Sequence, residues 1–501
     1  LANPLYDRLF GPLKGRTSNF LTLADGRTMT GDAFLRMAAQ QAGALAEIGL
    51  VAGDRLAVQV EKSPEALALY GACVMSGVVF LPLNTAYTAD ELEYFIGDSA
   101  AGAVICGPGA EETVRRISGS AVVLTLDAAG GGSLTEAAAR QPEQFTPVAR
   151  GEEDLAALLY TSGTTGRSKG AMLSQSNLLS NALTLVEEWR FTAEDVLLHV
   201  LPIFHTHGLF VASNVALASG ASMIFLPKFD VNTVLHHLPH STTMMGVPTF
   251  YTRLLADARF DKDLCKSMRL FTSGSAPLLA DTHRAFEART GHRILERYGM
   301  TETNMNTSNP YDGERRAGTV GFPLPGVELK ITDPDTGVTL PDGAAGIIEV
   351  RGPNVFQGYW QMPEKTKAEL RDDGFFITGD IGEIDADGYV QIVGRAKDLI
   401  ISGGYNIYPK EIELILDEQP GVLESAVVGV PHPDFGEGVV GVLVAEPGAK
   451  PDLDAIRAAV GERLAKFKQP KVLEVVTELP RNTMGKVQKN LLRDQFAGVF
   501  L

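Results

Sequence analysis

Through the first three hundred residues, short apolar runs of strand length alternate with longer runs of helical period, and this alternation is what most limits the fold. Residues 56–60, 78–81 and 103–106 are strand-like, with helical segments at 64–75 and 89–98 between them. Further strand-like runs lie at 196–201, 222–225, 242–245 and 270–273. A chain that interleaves strands with helices returns to its sheet in the same direction each time, so largely parallel sheets covered by helices are expected. From about residue 320 the texture changes. Residues 328–332, 347–351, 381–385 and 389–393 are short strand-like runs with Asp-Gly turn signals between several of them. They predict a small antiparallel, barrel-like β subdomain. After Gly394 a helix (409–419), two strands (422–429 and 439–445) and a second helix (453–464) make a compact α+β module. The expected fold is therefore α/β. A large N-terminal domain over residues 1–394 holds two layered α/β subdomains and the β subdomain; a smaller α+β domain occupies residues 395–501.

Composition narrows the function. The formal charge of −17 argues against general nucleic-acid binding, which needs a basic face. Three scattered cysteines, Cys73, Cys106 and Cys265, make no disulfide scaffold and no cysteine zinc site, and they suit a reducing, cytoplasmic compartment. Charged residues interrupt the first twenty positions, so no signal peptide is expected there. The uncharged stretches 66–83 and 202–227 are broken by glycine, proline and polar residues and read as buried α/β core rather than membrane spans.

Residues 160–170 read Tyr-Thr-Ser-Gly-Thr-Thr-Gly-Arg-Ser-Lys-Gly, with five Ser/Thr hydroxyls, three glycines, one Arg and one Lys. Glycines let the backbone approach a ligand closely, and the amides, hydroxyls and cations around them cradle phosphate oxygens. The run is not a Walker A loop, because Gly170 rather than Ser or Thr follows Lys169. A buried strand is expected just ahead of it, at 155–160.

Other segments extend this pattern: Leu-Pro-Ile-Phe-His-Thr-His-Gly (201–208), Ser-Gly-Ser-Ala-Pro-Leu (273–278), Tyr-Gly-Met-Thr-Glu (298–302), Thr-Gly-Asp (378–380), Gly-Arg-Ala-Lys-Asp (394–398), Ser-Gly-Gly-Tyr-Asn-Ile (402–407) and Pro-Arg-Asn-Thr-Met-Gly-Lys (480–486). In this order, over nearly the whole chain, the set resembles the ANL superfamily of AMP-forming adenylating enzymes. The resemblance implies that ATP activates a carboxylate as an acyl-adenylate and that CoA then takes the acyl group. It assigns Thr161, Ser162, Gly163, Thr164, Thr165 and Lys169 to the ATP phosphates. Thr301 goes to a phosphate oxygen, and Glu302, with Thr165, to Mg²⁺. Ser273, Gly274, Ser275, Ala276, Tyr298 and Gly299 would surround the adenine, and Asp380 would take the ribose hydroxyls with Arg395 nearby. Lys486 would be the catalytic lysine of adenylation. Lys397 would be the hinge about which a mobile C-terminal domain turns between half-reactions, presenting Ser402, Gly403, Gly404 and Tyr405 to CoA. The Lys486 loop would also suit a lysine acyltransferase or deacylase.

The acid pocket is expected near His205, 245–253, 273–275 and 298–306. Its sequence, Met-Gly-Val-Pro-Thr-Phe-Tyr-Thr-Arg (245–253) with Glu-Arg-Tyr-Gly-Met-Thr-Glu-Thr-Asn-Met-Asn-Thr (296–307), resembles the malonyl-CoA synthetases. That implies a small dicarboxylic acid, malonate or methylmalonate. Arg253 would grip the carboxylate that does not react, with Ser275 adding a hydrogen bond and His205 positioning the acyl group. Arg297 and Arg284 are lesser candidates for the grip, pairing of Arg253 with Asp257 is the structural alternative, and His207 receives no role. Two other activities fit the motifs: ligation of a different small acid to CoA, and loading of a separate carrier protein.

Overall fold

The computed structural model of the chain describes residues 2–161, 168–276, 278–334, 336–402, 405–464, 466–482 and 485–500. Contacts divide it into two compact units, Leu1–Leu329 with Val350–Phe376, and Lys330–Glu349 with Ile377–Leu501.

The first unit is built on two sheets. One has six strands in the order Val122–Thr125, Ala103–Cys106, Arg55–Gln59, Val79–Pro82, Leu155–Thr161, Lys169–Ser174. Its first five strands pair in parallel and the last is antiparallel. The helix Pro64–Ser76 between two of these strands is buried over nearly its whole length, which explains a run too apolar to look amphipathic. Ser63 caps it by accepting a hydrogen bond from the Ala66 amide.

The second sheet has nine strands. Six of them run parallel in the order Leu295–Met300, Leu270–Ser273, Thr243–Gly246, Val196–His199, Ser222–Phe225, Asn19–Leu23. The strand Asn304–Ser308 turns back antiparallel on Leu295–Met300. Ligands of parallel α/β sheets gather beyond the carboxyl ends of the strands. The motifs at 201–208, 246–253, 273–276 and 298–302 all follow or end such strands.

Glu328–Thr332, Gly346–Arg351, Phe376–Ile384 and Val390–Arg395 form a four-stranded sheet in chain order, most of whose residues belong to the second unit. The C-terminal module pairs Val422–His432 with Gly436–Ala445 as a long antiparallel hairpin, edged by the parallel strand Val472–Val476. The helix Pro409–Asp417 buries Ile412, Ile415 and Leu416 against it, as their spacing predicts. Residues 330–349 and 377–394, expected with the large domain, group here with the C-terminal module. Among the described residues no helix is long and apolar enough to cross a membrane.

Candidate functional site

The phosphate-cradle run joins two paired strands. Thr161 lies opposite Lys169 in the antiparallel ladder between Leu155–Thr161 and Lys169–Ser174, so both ends of the loop are pinned to the sheet. Ser162, Gly163, Thr164 and Thr165 lie outside the described residues. Lys169 sits at the strand start with its ammonium 4.3 Å from the centre of the Tyr359 ring and 3.5 Å from Glu369 Oε2.

Tyr359 ties this lysine to the expected metal ligand. Its hydroxyl lies 3.0 Å from Glu302 Oε1 and 2.7 Å from Glu369 Oε2. Glu302 is buried in the turn between Leu295–Met300 and Asn304–Ser308. Burial raises its pKa, while its own backbone, Tyr359 and Lys169 partly offset the rise. Burial acts on Glu369 in the same direction, but hydrogen bonds from Lys365 and Tyr359 and the charge of Lys169 outweigh it and hold the carboxyl below its ordinary value. Among the described residues no three His, Cys, Asp or Glu side chains form a metal cage. A single buried carboxylate instead fits a hard cation that arrives on phosphate oxygens and keeps most of its other ligands.

The hairpin carrying Thr301 and Glu302 depends on a glycine. A Cβ at Gly299 would fall 1.8 Å from the Asn304 carbonyl oxygen, at the register shift beside Tyr298. Asn181 then clamps Met305 from both sides, donating to its carbonyl at 2.9 Å and accepting from its amide at 3.2 Å. Thr301 and Tyr298 are half-buried on the same hairpin.

Next to it lies a buried cation. Arg297, on Leu295–Met300, is 4% exposed, and neither Nε nor Nη2 has a hydrogen-bond partner among the described residues. Burial pushes its pKa down to about 9, which leaves the guanidinium charged at neutral pH. It presses on the backbone of Gly274: a Cβ there would fall 2.3 Å from Cζ and Nη1. Ser275, the next residue, holds a left-handed backbone (φ 69°), an uncommon state for serine that recurs at ligand sites. Its hydroxyl lies 3.2 Å from Nδ1 of His207. His207 is buried and kept neutral, first by burial and then by the charge of Arg297. His205, half-buried, accepts the His207 amide at Nδ1, 3.4 Å away. Ser273 is buried with an unpartnered hydroxyl, and Ala276 is exposed.

The structure does not bring Arg253 into this group. The helix Pro248–Leu255 turns Tyr251 and Leu254 into the core, which leaves position 253 on the outer side. Arg253 is exposed, with its guanidinium 4.9 Å from the centre of the Phe229 ring, itself stacked on Phe250. Pairing with Asp257 does not occur either, since that carboxylate holds Arg259 at 2.6 Å. Arg284 pairs with Asp281 on the surface.

The remaining candidates belong to the second unit. Asp380, buried, faces Arg395 across two antiparallel strands at 3.3 Å. Lys397 lies in the short turn Ala396–Asp398, whose Lys397 carbonyl and Asp398 carboxylate both accept from Arg493. Ser402 is buried at the end of Ile400–Ser402; Gly403 and Gly404 lie outside the described residues, and Tyr405 pairs through its backbone with Ser402. Around Lys486 the loop is braced within itself. Asn482 accepts the Lys486 amide at 3.0 Å and donates its own to the Lys486 carbonyl at 2.9 Å. Arg481 donates to Gly485 at 2.7 Å and pairs with Glu424.

Sequence reasoning did not single out Tyr359 or Glu369, gave His207 no role, and placed Arg297 among the lesser candidates. Nothing local marks the first two, which reach the cradle only through the fold. Arg297 did carry a signal, a charge in the buried first half of a parallel strand.

A family model described as AMP-binding enzyme matches residues 14–360, and one described as AMP-binding enzyme C-terminal domain matches 411–486. The chain belongs to the AMP-binding enzyme family. The ATP-bound crystal structure of MatB from Rhodopseudomonas palustris is 57% identical over the full length of both chains, with a TM-score of 0.98. The malonate–CoA ligase of Arabidopsis thaliana is 36% identical over 89% of this chain and 78% of its own. A feruloyl-CoA synthase of Amycolatopsis is also 36% identical, over 94% of each. Relatives at equal identity thus carry the names of quite different acids, and the choice among acids falls to the pocket.

Proposed function

We propose that this chain joins malonate to CoA in an ATP-dependent, AMP-forming reaction, with methylmalonate as the next-best acid. One malonate oxygen attacks the α-phosphorus of ATP and pyrophosphate leaves. The CoA sulfur then attacks the acyl carbon, and AMP leaves with the electron pair of the broken acyl–oxygen bond.

The observation that carries the choice of acid is Arg297. A buried guanidinium with two unpartnered nitrogens is costly in the free protein and calls for an anion. The spectator carboxylate of a short diacid meets Nε–H and Nη2–H as a bidentate pair. A monocarboxylate leaves both unpaired, which penalises acetate and propionate by up to about 10⁴-fold. Arg297 thereby takes the task expected of Arg253.

Lys169, held by Glu369 and the Tyr359 ring, would meet the ATP phosphates, with Thr161 at the loop base and Ser162, Gly163, Thr164 and Thr165 in the loop. Thr301 would add a hydroxyl. Glu302, with Thr165, would hold Mg²⁺, which neutralises phosphate charge. Ser273, Gly274, Ser275, Ala276, Tyr298 and Gly299 would line the adenine, with Asp380 and Arg395 at the ribose and His205 at the acyl group. Lys486 would supply the positive charge that forms the adenylate. A mobile domain over 395–501 would turn at Lys397, with Ser402, Gly403, Gly404 and Tyr405 at the CoA channel. The setting would be cytoplasmic, which three buried free thiols suit, and a lysine acyltransferase or deacylase would act on Lys486.

A panel of short mono- and dicarboxylates, followed by pyrophosphate release and chromatography of the nucleotide and thioester products, tests the proposal. Malonate should give AMP, pyrophosphate and malonyl-CoA far faster than propionate or butyrate. Formation of ADP, or equal rates with butyrate and malonate, would refute it.

A further inference from the structure

His207 is a group that the proposed reaction leaves unused, and its surroundings are unusual. The side chain is 3% exposed, yet Nε2 has no hydrogen-bond partner among the described residues. An unsatisfied buried ring nitrogen is unfavourable unless something arrives to meet it. Its other nitrogen, Nδ1, is engaged by the Ser275 hydroxyl at 3.2 Å. Ser275 follows Gly274, the residue against which the Arg297 guanidinium packs. The dipeptide 274–275 therefore links two buried side chains that carry unpartnered nitrogens among the described residues, His207 through Ser275 and Arg297 through Gly274. The charge of Arg297 reaches His207 strongly enough to rank second only to burial in keeping that ring neutral.

We propose that His207 is a specificity residue whose Nε2–H donates the third hydrogen bond to the carboxylate that Arg297 anchors. The inference rests on the reading of Arg297 given above. Its chemistry follows from the ring. A neutral imidazole carries one proton, and the nitrogen that accepts from a hydroxyl is the one without it. With the Ser275 O–H donating to Nδ1, the proton resides on Nε2. The opposite tautomer would present a lone pair to an anion and be repelled by it. Arg297 supplies Nε–H and Nη2–H, His207 supplies Nε2–H, and the two carboxylate oxygens have four lone-pair directions to receive them. The Ser275 hydroxyl can donate to Nδ1 or accept from it, so the arriving carboxylate selects the Nε2–H tautomer, and Ser275 then donates to Nδ1.

Two polar substitutions separate this role from simple packing. His207→Gln places an amide N–H at the reach of Nε2, whereas His207→Asn reaches only as far as Nδ1 and loses the third donor. Steady-state pyrophosphate release, with malonate and ATP varied in turn, should show the Gln variant within about fivefold of wild type for the malonate KM. The Asn variant should raise it roughly 10–100-fold with the ATP KM little changed. Equal malonate KM values for the two variants, or a rise in both KM values together, would overturn the assignment. Arg297→Met, run alongside, separates the two claims. If it raises the malonate KM and His207→Asn does not, the role of His207 falls and the anchor stands. If Arg297→Met has no effect, the anchor falls and the role of His207 with it.

Discussion

At the scale of single residues, the site is a set of buried charges held ready for charged ligands. Arg297 has no anionic partner among the described residues, so removing its charge should help the free protein while it damages the enzyme. Arg297→Met is expected to raise the Tm of the ligand-free protein and to abolish the further Tm increase that malonate gives wild type; differential scanning fluorimetry with and without malonate reads both. Glu369 is the second such point. It holds Lys169 and, through the Tyr359 hydroxyl, touches the carboxylate of Glu302. Glu369→Gln keeps the shape and removes the charge. Adenylation, followed by ATP–pyrophosphate exchange, should fall roughly 10-fold, while thioester formation from preformed acyl-adenylate stays near wild type. An equal fall in both half-reactions would show a general structural role.

At the scale of elements, the strand and helix periods were readable because they follow from what must be buried. The helices Pro64–Ser76 and Ala89–Ser99 and the strand Ala103–Cys106 lie within about a residue of where patterning placed them. The side of a short helix was harder to read. Arg253 follows Pro248 at the expected helix start, yet Tyr251 and Leu254 take the inward face and leave it on the outside. Long-range pairing was invisible for a similar reason. Lys169 and Glu369 are two hundred residues apart, and no local pattern announces such a contact. Local devices, in contrast, can be tested locally. Asn482 bonds both the amide and the carbonyl of Lys486, which fixes the loop that presents the lysine. Asn482→Ala should lower adenylation about 10-fold through misplacement of the Lys486 ammonium and leave thioester formation unchanged, as single-turnover measurement of each step will show.

At the scale of the whole molecule, the chain has two compact units with separate cores. The family resemblance could be read because its motifs are short and keep their order, whereas the grouping of residues 330–349 and 377–394 with the C-terminal module rests on contacts that sequence does not display. Stability of that module should depend on pH through Asp417. Burial raises its pKa from 3.8 to about 6, against a hydrogen bond from Ser425. The native state therefore holds a proton that the unfolded chain has lost between about pH 4 and 6, and stability from this group declines as pH rises through that window. Above it the cost is complete, at most about 3 kcal/mol. Asp417→Asn should gain Tm over wild type at pH 8 and lose most of that gain at pH 4.5; a gain independent of pH would contradict the assignment.

The central claim is that a buried arginine at position 297, and not the exposed one at 253, chooses the acid. Pyrophosphate release with malonate and with propionate, for wild type, Arg297→Met and Arg253→Ala, measures this directly as the ratio of the two kcat/KM values. The account predicts a collapse of the malonate preference by at least about 10²-fold in Arg297→Met and a change of less than about threefold in Arg253→Ala. A preserved preference in Arg297→Met, or its loss in Arg253→Ala alone, would contradict it.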